Sequence, residues 1–170
     1  MKSHRFKIRA TARGMSMTEV VLSTILVALV VVGALNGVAG VMAGHASLSN
    51  VARANKLAAE LLAEVLEQPY ADPNETPVFG PESSESTSSR TDFDDVDDYD
   101  GWTATPPKSR TGTTLTGFDG WERKVVVKWV TPNDPSVISG TDQGVKRITV
   151  TVSRNGVVIA TQIGLRTDKF

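Results

Sequence analysis

The sequence predicts an α+β fold in which one long N-terminal helix covers a small C-terminal antiparallel sheet. Three observations carry that expectation. No Asp, Glu, Lys or Arg occurs from Val20 to Ala52, a run long enough for a membrane-crossing helix, which needs about 20 apolar residues. Apolar residues then recur at helical steps as far as Pro69. Over the last fifty residues the pattern alternates with a period of two, and Asn155-Gly156 separates two of the alternating runs.

The helix comes first. Val20 to Leu35 is almost wholly aliphatic, and at about 1.5 Å per residue the uncharged run as a whole spans a hydrocarbon core. Lys2, Arg5, Lys7, Arg9 and Arg13 precede it without an acid among them. By the positive-inside rule the N-terminus stays in the cytoplasm and the rest lies outside, as a single pass through the inner (cytoplasmic) membrane. Gly33, Gly37, Gly40 and Gly44 form two small-xxx-small pairs, which let helices approach closely in lipid and also loosen the helix that carries them. Beyond them Leu48, Val51, Ala52, Ala58, Leu62, Val65 and Leu66 form an amphipathic stripe. Arg53, Lys56, Glu60, Glu64 and Glu67 lie largely opposite it, with Lys56 and Glu60 at i,i+4 spacing. Pro69 ends the helix. Residues 15–44 are thus the membrane part and 45–68 the amphipathic continuation, about 81 Å in all if unbroken at ~1.5 Å per residue. His45 reads as a polar interfacial residue, not a ligand.

Residues 69–120 read as irregular. Tyr70 to Arg90 is rich in Pro, Ser and Glu and has no periodicity. Residues 121–170 read as sheet. Glu122–Thr131 alternates around Val125, Val127 and Trp129, and Val145–Ser153 puts Ile148, Val150 and Val152 on one face. Asn155-Gly156 suits a type I′ turn, which needs positive φ at both positions, and Val157–Ile163 is the return strand. Pro132 to Gly144 reads as a polar connection. Three or four strands with one apolar face need a cover, and residues 46–68 supply it.

Charge narrows the partners. With residues 1–14 removed, 13 Lys and Arg stand against 19 Asp and Glu, a net charge of −6. An acidic chain of this kind does not suit nucleic acid, whose phosphates call for clustered basic residues. The absence of cysteine excludes disulfides and thiolate chemistry. No Gly-rich phosphate loop, His-metal spacing or G-x-S-x-G elbow is present, and no histidine lies beyond His45 to act as a base. The sequence does not read as an enzyme.

One residue remains unexplained by a plain anchor. Glu19 sits at the head of the apolar run, where a carboxylate has no solvation from lipid, and such residues usually have a partner. Its neighbours supply a context. Arg13-Gly14-Met15-Ser16-Met17-Thr18-Glu19-Val20 resembles the prepilin peptidase site of type IV pilins and type II secretion pseudopilins. The resemblance implies a leader of residues 1–14, cleavage between Gly14 and Met15, and N-methylation of the new Met15 amine. Glu19, fifth in the mature chain, would pair with the amine of a neighbouring subunit during assembly. The sequence departs from the family at Met15, where Phe is usual, and at the polar Ser16-Met17-Thr18. Implied partners are the prepilin peptidase, other pilin or pseudopilin subunits, the inner-membrane assembly platform and the membrane itself. The expected product is a minor pilin or pseudopilin within a pilus or pseudopilus, with a pilin-like α+β fold.

The second unusual segment is Asp92-Phe93-Asp94-Asp95-Val96-Asp97-Asp98-Tyr99-Asp100. Six aspartates among nine residues repel one another unless they are solvated or bound to a cation. Calcium, which takes six to eight oxygens, is the candidate, with Asp94, Asp95, Asp97, Asp98 and Asp100 as its ligands. The EF-hand pattern fails, since aligning Gly101 puts Val96 at the first ligand position and Pro107 at the last. Phe93, Val96, Tyr99 and Trp102 recur every third residue, as in a short turn docking an apolar face on the sheet. The segment also resembles the Asp-rich stretch of minor pilin-like proteins of the mannose-sensitive haemagglutinin type. A reading from another class stays open: a monomeric membrane-anchored protein whose outer domain binds a ligand or calcium.

Overall fold

A computed structural model describes residues 14–72, 78–82, 85 and 89–168. Residues 1–13 of the expected leader lie outside these, as do residues 73–77, 83–84 and 86–88 of the Ser/Pro/Glu-rich segment. The elements are one helix, α1 (Met17–Leu66), and five strands: β1 (Thr103–Ala104), β2 (Trp121–Thr131), β3 (Asp134–Ile138), β4 (Val145–Arg154) and β5 (Val157–Thr167). A single 3₁₀ turn, Asp97–Tyr99, precedes β1. The chain divides into two compact units, Met1–Ala46 and Ser47–Phe170.

The first unit contains the apolar part of α1. The helix continues unbroken through Gly33–Gly44, so the glycines that loosen it do not end it. It is long and apolar enough to cross a membrane, and none of the side chains along its apolar stretch is buried.

The second unit is a layered α+β body. Its antiparallel sheet runs β1-β2-β4-β5, with β3 also paired to β2. Alternation decides the faces. Val125, Val127, Ile148, Val150 and Val152 are fully buried, and they meet Ala54, Leu57, Ala58, Leu61 and Val65 of α1 in one core. The expected stripe is corrected at its start: Leu48 and Val51 are exposed, and the cover begins at Ala54. The buried set Ala54, Leu57, Ala58, Leu61 and Val65 follows steps of three and four, and its alanines let helix and sheet approach. Gly164 on β5 shows how close that approach is. A Cβ there would stand 3.0 Å from Leu62 Cδ1 and 3.2 Å from Leu66 Cδ1.

The Asn155-Gly156 hairpin forms as expected, with φ of 50° and 79° and Arg154 opposite Val157. The polar connection does not hold as such. Residues 134–138 form β3 and fold back on β2 after a two-residue Pro132-Asn133 turn. Pro135 hid this strand, yet proline is tolerated on an outer strand whose N–H needs no partner. The irregular region does dock its aromatic face: Phe93, Val96, Tyr99 and Trp102 are all buried in the core.

Candidate functional site

The N-terminal candidate residues stand at the start of α1. Gly14 and Met15 precede the helix, and Met15 is 75% exposed. The Ser16 hydroxyl accepts the Glu19 N–H at 3.2 Å, and the Ser16 carbonyl accepts the N–H groups of Glu19 and Val20 at 3.0 and 3.2 Å. Ser16 is therefore the helix cap, one of the side chains best suited to an otherwise unpaired N–H. Glu19 is the third helical residue, where a carboxylate faces the positive end of the helix dipole. The Ser-x-x-Glu spacing is the sequence signal of this arrangement. It gives Glu19 a local role that hydropathy does not reveal. Among the described residues the Glu19 carboxylate itself meets no hydrogen-bond or ion-pair partner.

The helix beyond it presents an apolar surface that is exposed among the described residues. Leu22, Leu29, Val30 and Leu35 are exposed, Val30 at 70%. A Cβ placed on Gly33, Gly37, Gly40 or Gly44 would meet no atom within 4 Å. Nothing in the fold of this chain requires those four residues to be glycine. Exposed apolar area on this scale marks a lipid or protein contact.

In the second unit the aspartates divide between solvent and the interior, and they are not gathered round one point. Asp95, Asp97 and Asp98 are buried, while Asp94 is exposed. Asp95 Oδ1 accepts the N–H groups of Asp97 and Asp98 at 2.7 and 3.3 Å, and Asp98 Oδ2 accepts those of Asp94 and Asp95 at 2.9 and 2.8 Å. The two side chains thus wrap the 3₁₀ turn with its own backbone donors. Asp97 Oδ2 accepts the Gly80 N–H at 3.1 Å, and Asp97 Oδ1 contacts Lys146 Nζ. Asp100 bonds the Val127 N–H at 2.8 Å and Lys128 Nζ at 2.9 Å, tying the loop to β2. Backbone donors and two lysines offset the repulsion that the sequence alone assigns to solvent or a cation.

Of the five aspartates proposed as calcium ligands, Asp98 alone joins a group of converging carboxylates, with Glu82 and Glu85, all within 4.8 Å of one another. These three residues could hold a cation. Burial, reinforced by Asp98, pushes Glu85 up to about 8, and burial also raises Asp98 against the two N–H bonds that favour its charge.

Among the described residues three buried cations, Lys146, Arg90 and Arg123, escaped the sequence reading. Lys146 is 3% exposed and contacts Asp97 and the Tyr70 carbonyl, with Asp95 at 3.8 Å. Arg90 is 1% exposed, pairs with both carboxylate oxygens of Glu64 at 2.8 and 3.0 Å, and lies 4.1 Å from the Trp102 ring centre. Lys146 was findable, because it is in phase with Ile148, Val150 and Val152 on the core face of β4. Arg90 was not, since an irregular segment has no phase.

No family model, curated protein or solved structure matches this chain.

Proposed function

We propose that the chain is a structural, non-catalytic subunit of a type IV pilus or type II secretion pseudopilus, most in keeping with a minor pilin or pseudopilin. In this reading it is cut between Gly14 and Met15, N-methylated at Met15 and assembled through α1. What supports this most is Glu19: a carboxylate without a partner among the described residues, at the head of an exposed apolar helix, five residues beyond the glycine of a basic leader. After cleavage the Met15 amine is mostly cationic at neutral pH, its reference pKa being near ~7.7–8.0. The Glu19 of a neighbouring subunit neutralises it in an apolar filament core. Removing one member of such a buried pair costs about 3–5 kcal/mol, enough to set the register between subunits. The Ser16 cap agrees with this role, because it satisfies the helix end and leaves the carboxylate for the neighbour.

Intact mass of the mature protein tests the processing. A chain beginning at N-methyl-Met15 supports the reading. One beginning at Met1, or after Gly44, belongs to the competing picture of a monomeric membrane-anchored protein with a ligand- or calcium-binding outer domain. Glu19→Ala then tests assembly. The variant is expected to be cleaved nearly as well as the wild type and to be absent from filaments sheared from cells. Normal incorporation would remove the role assigned to Glu19.

A further inference from the structure

We propose that Lys146 and Asp97 condense spontaneously within the folded chain into an isopeptide bond, with Asp95 as the acid that assists the step. The proposal does not depend on the filament reading.

The geometry brings a nucleophile, an electrophile and an acid into one sealed place. Lys146 Nζ touches Asp97 Oδ1 and lies 3.8 Å from Asp95 Oδ2, and all three side chains are at most 4% exposed. Their surroundings are aromatic. The Tyr70 ring centre is 4.3 Å from Nζ, Trp129 stands opposite Lys146 across β2 and β4, and Phe79 packs on Trp129 at 4.6 Å. Burial keeps bulk water away from the pair, and the amine becomes a nucleophile when its proton passes to Asp97. The Tyr70 carbonyl accepts one N–H of Nζ and so helps orient the remaining lone pair. Reactants held in this way gain an effective molarity of about 10⁵–10⁸ M.

Each remaining requirement has a residue. The buried Gly80 N–H donates to Asp97 Oδ2 at 3.1 Å, where negative charge develops when Nζ attacks the carboxyl carbon. Asp95 is the remaining acid, buried with its Oδ2 3.8 Å from Nζ. Asp95 and Asp97 are also fixed to one another, because Asp95 Oδ1 accepts the Asp97 N–H at 2.7 Å.

The step balances without an oxidant or cofactor. One proton passes from the Lys146 ammonium to Asp97 Oδ1. The Nζ lone pair then forms a bond to Asp97 Cγ, and the carbonyl electron pair moves onto Oδ2. Asp95 gives its proton to Oδ1 and regains one from Nζ. The Cγ–Oδ1 bond breaks, the carbonyl re-forms and one water leaves. Lysine ammonium and aspartate carboxylate become one amide, and Asp95 ends as the acid it began.

Tryptic mapping of the full-length chain, purified in detergent, decides the matter. Condensation makes the backbone after Lys146 resistant to trypsin. It yields a branched peptide in which residues 91–108 are joined to residues 129–147, lighter than the sum of the two by one water. Recovery of residues 91–108 and 129–146 as separate unmodified peptides in full yield overturns the proposal. Asp95→Asn removes the assisting acid, and the branched peptide should fall to a minor fraction while near-ultraviolet circular dichroism still shows a folded head. A folded Asp95→Asn protein that cross-links as fully as the wild type overturns the role of Asp95. If that variant does not fold, the wild-type map still decides whether the bond exists.

Discussion

Glycines mark the contrast between the two units. On the exposed apolar part of α1, a Cβ at Gly33, Gly37, Gly40 or Gly44 would meet none of the described residues within 4 Å. In the second unit, a Cβ at Gly164 would press on Leu62 and Leu66, and one at Gly120 would fall 2.3 Å from Asn155 Oδ1 with the backbone at φ 73°. The second unit uses glycine to complete its own packing. Among the described residues of the first unit, no such packing accounts for its helical glycines. Polar groups divide in the same way. The Glu19 carboxylate has no partner among the described residues, whereas Glu64, farther along the same helix, holds Arg90 through both oxygens and also accepts the Tyr99 hydroxyl at 3.2 Å.

Breaking the Glu64–Arg90 pair should have the largest effect on the head. Arg90 is almost wholly buried and also bonds the Lys108 carbonyl at 3.5 Å, so its removal takes a partner from both Glu64 and that carbonyl. Arg90→Ala should lower head stability by about 3–5 kcal/mol, the usual result of leaving one member of a buried pair alone. Chemical denaturation followed by tryptophan fluorescence would measure it. The Lys56–Glu60 pair on the same helix provides the control. At 3.6 Å and well exposed, such a pair contributes about 0.3–0.5 kcal/mol.

Gly164→Val comes next. Its Cβ must displace Leu62 and Leu66, and overpacking of this kind costs about 1–3 kcal/mol. The loss should appear as a lower melting temperature with the α+β circular dichroism spectrum kept. An unchanged melting temperature would mean that α1 and β5 do not approach as closely as described.

These cases show what the sequence could and could not convey. Strands β2, β4 and β5 and the hairpin were legible because alternation and Asn155-Gly156 are local signals. The 3.6-residue period located the helix but not the point where burial begins, since Leu48, Val51 and Ala54 are equally suited to a helix face. That point depends on where the sheet lies, which is tertiary information. The burial of Asp95, Asp97 and Asp98 was hidden for a related reason. Their repulsion is written in the sequence, but the Lys146 and Gly80 groups that offset it are far away in the chain. At the N-terminus Gly14, Met15 and Glu19 were legible as a spacing. The capping role of Ser16 was equally legible, and hydropathy drew attention past it.

The smallest effect on the head is the most informative about the first unit. Gly37→Leu together with Gly40→Leu fills two positions where the chain offers empty space, so the melting temperature of the head should not change. Helix propensity improves by roughly 1 kcal/mol for each glycine replaced by a good helix former, so the helix itself gains. If the glycines serve close helix approach between subunits, two leucines hold the backbones apart and incorporation into sheared filaments should fall severalfold. A variant that is cleaved and folded but not assembled would place the reason for these glycines in the neighbouring molecule. Full assembly would return them to the ordinary tolerance of membrane helices for glycine, and Glu19 would then carry the assembly reading alone.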